Sequence, residues 1–120
     1  MFDSNYKFTC VDRFFKYVKY DTQSDEESTS FPSSEKQKIL SKDLAEELKV
    51  LGLKDAHMDE WGYVMATLPS NTNKKVDPIA FIAHVDTSPA VSGKDVKPII
   101  RKNYQGGDIK LETGGWVISV

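Results

Sequence analysis

Residues 78–89 read PIAFIAHVDTSP, from Pro78 to Pro89, and the fold class turns on them. Ile79, Ala80, Phe81, Ile82 and Ala83 are continuously apolar, the pattern of a strand covered on both faces. A strand of that kind belongs to an α/β sheet with helices packed against it. At its carboxyl end stand His84 and Asp86, two residues apart, followed by the turn Thr87-Ser88-Pro89. In open α/β sheets, binding sites are built at that end of the strands. Residues i and i+2 of a strand share a face, so extended backbone through Asp86 projects the imidazole and carboxylate together. Imidazole is a good zinc ligand, and a neighbouring carboxylate fixes its tautomer and raises its basicity. The same His-x-Asp spacing also occurs as a surface pair at a strand end, and spacing alone does not separate the two.

Upstream, Phe8, Val11, Phe14, Phe15 and Val18 recur at helical spacing among Asp12, Arg13, Lys16 and Lys19. This predicts a helix over residues 4–19 whose aromatic face, including the Phe14-Phe15 pair, is buried. Residues 20–34 are polar and rich in serine and acids, the composition of a loop. Ser34-Glu35-Lys36-Gln37 matches a capping box. Leu40, Leu44, Leu48 and Leu51 then form one stripe that ends at Gly52, which predicts a second helix with a glycine stop. Residues 55–69 predict two short strands about a turn at residues 60–62, and residues 71–77 a polar loop. Beyond Pro89, short β segments are punctuated by Gly93, Gly106-Gly107 and Gly114-Gly115.

Composition narrows the classes further. The chain has 120 residues, a formal charge of −2 and 28% charged residues, so nothing marks a nucleic-acid partner. A single cysteine, Cys10, excludes an intramolecular disulfide and points to a reducing, cytoplasmic setting. Charges throughout the first twenty residues rule out a signal-peptide core, and no apolar run reaches the ~20 residues of a membrane span. Trp116, Val117, Ile118 and Val120 form an apolar run at the carboxyl end, where polar segments are usual, and this suggests a truncated chain.

Four segments resemble a known family, in order and with natural spacing. They are FFKYVKYDTQSDEES, LAEELKVLGLKDAHMDEWGYVMATLPSN, IAFIAHVDTSP and VKPIIRKNYQGGDIKL. Together they look like the amino-terminal part of the peptidase T family, tripeptide aminopeptidases of the co-catalytic zinc exopeptidase clan. The resemblance runs over residues 12–111. Its most specific pieces are Tyr20 to Ser24, His84 to Pro89 and Asn103 to Ile109.

The resemblance implies an α/β catalytic domain with a mixed sheet flanked by helices, of which residues 1–120 are the amino-terminal portion. It implies zinc, two ions per complete chain, a tripeptide substrate, and release of the amino-terminal residue. It makes His84 a zinc ligand and Asp86 the active-site residue supporting it. The bridging aspartate, paired glutamates with the general base, further carboxylate and distant histidine of the family have no counterpart here. Open zinc sites take three or more protein ligands, so a chain offering one is not a competent enzyme alone. The family turn is expected as His-Met-Asp-Thr-Ser-Pro-Asp; Val85 and Ala90 depart from it, and Ala90 removes a carboxylate.

Other residues carry bland readings. His57 is expected to be solvated or locally hydrogen-bonded, Cys10 a small core residue or half-exposed thiol, and Asp25-Glu26-Glu27 a solvated loop. Thr113-Gly114-Gly115 is a turn and not a phosphate loop. The alternative function is a non-catalytic α/β module acting by association through an unpaired β edge.

Overall fold

Helix α2, Gln37–Val50, is the element against which its neighbours pack. It belongs to a computed structural model that describes residues 7–120. Its buried residues are Gln37, Leu40, Ser41 and Ala45, with Leu44 and Leu48 half-buried beside them. Leu51 was expected on the same stripe but lies exposed, because the helix ends before it. Gly52, at φ +98°, supplies the stop: Leu53 N–H donates to Leu48 O (3.1 Å) and Gly52 N–H to Lys49 O (2.9 Å).

The capping box does not form. No side chain caps α2, and residues 34–36 instead accept backbone bonds from Gln37, Lys38 and Ile39 at 3.1–3.2 Å. These i→i+3 bonds make a tight first turn that satisfies the free N–H groups without a side chain. The Gln37 amide turns back to Ser33 Oγ (3.3 Å).

Strands β1, His57–Met58, and β2, Val64–Met65, form the expected hairpin, with His57 opposite Met65 and Met58 opposite Val64. Asp59 Oδ1 organises its turn by accepting from Trp61 N (3.0 Å) and Tyr63 N (2.8 Å), and Gly62 takes φ +90°. The hairpin packs on α2. Leu40, Ala45 and Ala56 are the buried apolar residues of this unit.

Helix α1, Cys10–Tyr17, is shorter than the helix expected over residues 4–19, and residues 4–6 of that expectation lie outside the described residues. Its expected aromatic face is buried only in part, at Phe15 and Val18. Val11 and Phe14 face outward, Phe14 at 60% exposure, while Phe15 is half-buried and meets Phe14 edge-on at 6.1 Å. The polar face docks on α2 instead. Glu47 takes Arg13 Nε at 3.1 Å, Lys16 Nζ at 3.1 Å and Tyr17 Oη at 2.8 Å, and Tyr20 donates to Asp43. Asp43 and Glu47, four residues apart, share one face of α2. They match Arg13, Lys16 and Tyr17 of α1 and Tyr20 just beyond it, and that match decides which face turns inward.

The apolar run at residues 79–83 also departs from expectation. It belongs to no β ladder, and Phe81 and Ile82 are 96% and 95% exposed. A strand forms only where a neighbour accepts and donates its ladder bonds, and no described segment lies alongside this run. The expected mixed sheet is accordingly absent among the described residues. In its place are two separate antiparallel pairs and one isolated parallel bridge, Gln23 to Thr87. The second pair joins β3, Ile109–Lys110, to β4, Val117–Ile118, through a turn in which Gly114 and Gly115 take positive φ. The accessible surface is 10794 Å², against the roughly 6500 Å² that a compact chain of this mass exposes. The architecture is thus α/β in content, with one packed unit and long exposed segments. No helix of the described residues is long and apolar enough to cross a membrane.

Two outcomes follow from this packing. Leu40→Ala should cost about 2–4 kcal/mol of stability, as for a buried leucine, whereas Leu51→Ala should cost less than about 0.5 kcal/mol. Urea unfolding of both variants checks this, and equal costs would place the core elsewhere.

The second outcome concerns pH. Burial opposes ionisation of Glu47, but the bonds from Tyr17 and Lys16, with Arg13 nearby, outweigh it and hold its pKa below the ordinary value. Burial and Glu47 raise Tyr17, and the bond to Asp43 with some burial raises Tyr20. A lowered carboxyl contributes stability that is present above its unfolded pKa and is lost as pH falls through the folded one. Raised phenols contribute stability that is present below about pH 10 and is lost as pH rises through their folded pKa. Docking of α1 should therefore plateau between about pH 5 and 10 and weaken on both sides. A nitroxide on the exposed Cys10 reads this as broadening of α2 amide signals. Constant broadening across the whole range would overturn the ion-pair account.

Candidate functional site

His84 and Asp86 meet, although no ladder holds them. His84 Nδ1 lies 3.0 Å from Asp86 Oδ1 and 3.0 Å from Asp86 O. A carbonyl and an ionised carboxylate only accept, so Nδ1 carries the proton and donates to both. The Nε2 lone pair is left for another partner. The imidazole is 85% exposed and the carboxylate 46% exposed, so both are reachable from solvent. A neutral imidazole whose Nδ1–H is held by a carboxylate is the form that ligates zinc through Nε2. The donor chemistry of this pair fits zinc as one ligand and its support. Among the described residues, no group of three or more histidine, cysteine, aspartate or glutamate side chains is gathered to hold a metal ion.

The segment that carries this pair is held by residues 20–24. Thr87 N–H donates to Thr22 O (3.1 Å), and Ser24 N–H and Oγ both reach Thr87 O, at 2.9 and 3.0 Å. The Gln23 side-chain amide donates to Pro89 O at 2.9 Å and to Val91 O at 3.3 Å. Thr22 is buried beneath this contact. Asp21 anchors the same strip: its Oδ1 accepts from Gln23 N (3.2 Å) and pairs with Lys36 Nζ (2.9 Å) just before α2. The bond from Lys36 holds the Asp21 carboxyl below its ordinary pKa, against a smaller opposing effect of desolvation. Gly93 closes the knot. A Cβ there would stand 3.2 Å from Thr87 Oγ1 and 3.4 Å from Asp21 Oδ1.

The meeting of residues 20–24 with residues 87–93 has no counterpart in the sequence expectations. Residues 20–34 read only as a loop. The available signal was that Tyr20 to Ser24 and His84 to Pro89 are two of the most specific pieces of one family resemblance, which places neither beside the other.

The remaining singled-out residues stay apart from this site. His57 Nδ1 contacts Asp55 O at 2.9 Å, the local bond expected of it. Asp55 itself is held below its ordinary pKa by bonds from Thr67. Cys10 is exposed at the first position of α1, where a small core residue or half-exposed thiol was expected. Asp25 Oδ1 accepts from Glu27 N (3.0 Å) in an exposed turn. Ala90 is exposed, its N–H bonded to Ser88 Oγ (3.2 Å).

Comparison with known proteins supports the resemblance over most of the chain. No family model matches. The sequence is 63% identical over 103 residues to peptidase T of Alkaliphilus oremlandii, covering 84% of this chain and 25% of that protein. Identity to peptidase T of Caldanaerobacter subterraneus subsp. tengcongensis is 59% over 101 residues, with the same two coverages. Against peptidase T of Vibrio cholerae it is 54% over 109 residues, covering 91% of this chain and 27% of the other. The chain is a relative of peptidase T and spans about a quarter of the length of these curated relatives.

The tight approach at Gly93 generates one expected outcome. Gly93→Val drives branched carbons into the space of Thr87 Oγ1 and Asp21, so the bridge between residues 22–24 and Thr87 should open. Amide exchange at Ser24 and Thr87 should then accelerate at least tenfold, as expected if about 1.4 kcal/mol of protection is lost. Unchanged protection at Ser24 would show that the glycine is not needed for the approach.

Proposed function

We propose that this relative of peptidase T supplies one metal-binding edge of a zinc-dependent aminopeptidase that releases the amino-terminal residue from tripeptides. The observation that carries the reading is the His84–Asp86 pair, with Nδ1–H given to the carboxylate and Nε2 left open. It sits in a segment whose sequence is shared with peptidase T at 54–63% identity. His84 is the zinc ligand and Asp86 the residue that orients it and raises its basicity. Zinc in such a site polarises the scissile carbonyl and lowers the pKa of water. The residues of this chain hold and orient; the remaining ligands and the general base belong to the other three quarters of a peptidase T chain. The 120 residues alone are inactive on this reading, and the compartment is the cytoplasm.

The exposed apolar run at residues 79–83 supports the same reading. Apolar on both faces and in no ladder here, it has the character of an inner strand whose neighbours lie in the rest of the catalytic domain. Residues 1–120 are then a portion of one α/β catalytic domain.

A chimera tests this. This chain replaces the matching quarter of the Alkaliphilus oremlandii protein, and zinc content and tripeptide turnover are measured together. The chimera should hydrolyse tripeptides and hold zinc, whereas the 120-residue chain should do neither tightly nor measurably. In the chimera His84→Ala should lose one zinc, and Asp86→Asn should lower kcat by about 10–100-fold at saturating zinc with little change in Tm. Full activity of His84→Ala would remove His84 from the metal site. Full activity of Asp86→Asn would reduce the carboxylate to a turn residue.

A further inference from the structure

We infer that Gln23 is a positioning residue for His84, acting through the turn that follows Asp86; this rests on the reading of His84 as a metal ligand. The side chain of Gln23 offers two N–H donors, and both find carbonyls of the same turn, Pro89 O at 2.9 Å and Val91 O at 3.3 Å. The backbone of Gln23 is simultaneously the partner of Thr87 in the parallel bridge. One strip therefore holds the segment at two places, Thr87 through the main chain of Thr22 and Ser24 that flank Gln23, and residues 89–91 through the Gln23 side chain. His84 and Asp86 lie immediately before the held part and belong to no ladder of their own.

That arrangement has a consequence for the imidazole. Both partners of Nδ1 belong to Asp86, so the tautomer depends on the backbone conformation between His84 and Thr87. A free imidazole in water favours the proton on Nε2, the tautomer that has no Nε2 lone pair to give. Holding residues 87–91 keeps Asp86 under Nδ1 and leaves the ligating lone pair on Nε2. The Ser24 hydroxyl bonds to Thr87 O as well, but Ser24 N–H makes the same contact, so the hydroxyl is redundant where the Gln23 amide is not.

The chain has two histidines, which makes the test direct. Imidazole nitrogen shifts of the histidine-labelled full chain, without metal and at a pH where both rings are neutral, report each tautomer separately. His57, whose Nδ1 is bonded to Asp55 O in β1, is the internal reference. Gln23→Met keeps the length and removes both donors. The Nδ1–H form of His84 should be the major tautomer in the unaltered chain and the minor one in Gln23→Met, with His57 unmoved. Ser24→Ala should leave both rings as they are.

An unchanged His84 in Gln23→Met overturns the inference. An equal shift in Ser24→Ala also overturns it, since the effect is then general loosening. If Gln23→Met does not fold, the unaltered chain still decides: nuclear Overhauser contacts from the Gln23 amide protons to Ala90 and Val91 are required, and their absence overturns the inference. Neither measurement contains zinc. A failure of zinc to perturb His84 Nε2 in the chimera would thus reject the metal reading while leaving the tautomer result standing.

Discussion

The contact on which the site depends is the pairing of residues 22–24 with Thr87. It consists of two backbone bonds, Thr87 N–H to Thr22 O and Ser24 N–H to Thr87 O, across a separation of 63 to 65 residues. Each such bond is worth about 1 kcal/mol net, so the join alone is modest. It is reinforced from three sides: the Gln23 amide on residues 89–91, the Asp21–Lys36 pair, and a glycine at position 93 that lets the strips approach. Lys36 directly precedes α2, so the strip that holds the His84 segment is itself fixed to the best-packed unit of the chain.

The rest of the molecule shows how little apolar burial that unit achieves. Leu40, Ala45 and Ala56 are small or few, and the large apolar residues Phe81, Ile82, Trp116 and Val120 are exposed. Hydrophobic stabilisation scales with area removed from water, and little is removed. Helix α1 illustrates the consequence. Val11 and Phe14 of its aromatic stripe stay exposed, while Arg13, Lys16 and Tyr17 find Glu47 and Tyr20, just beyond the helix, finds Asp43. Electrostatic matching settles an orientation that apolar burial would decide in a fuller core.

The site chemistry has a similar division. The His84–Asp86 contact is made within three residues and needs only a suitable backbone conformation. A metal centre needs several ligands from separate elements, and those are not gathered among the described residues. The chain therefore displays an imidazole whose Nδ1–H is held by a carboxylate and whose Nε2 is open. Similarity to peptidase T over 84–91% of the chain, but only 25–27% of the relatives, accords with that division.

Local features were legible in the sequence because they are encoded at spacings of two to four residues. The periodicity of Leu40, Leu44 and Leu48 marks α2, Gly52 its stop, and residues 60–62 the hairpin turn. The pairing of His84 with Asp86 has the same origin. Tertiary structure alone decided which face of α1 docks, that residues 79–83 join no ladder, and that Gln23 reaches the turn after Asp86. An apolar run records only that burial is favourable, not which backbone lies beside it. A polar strip such as Asp21 to Ser24 records donors and acceptors, but their partners are chosen by how distant segments of chain are brought together.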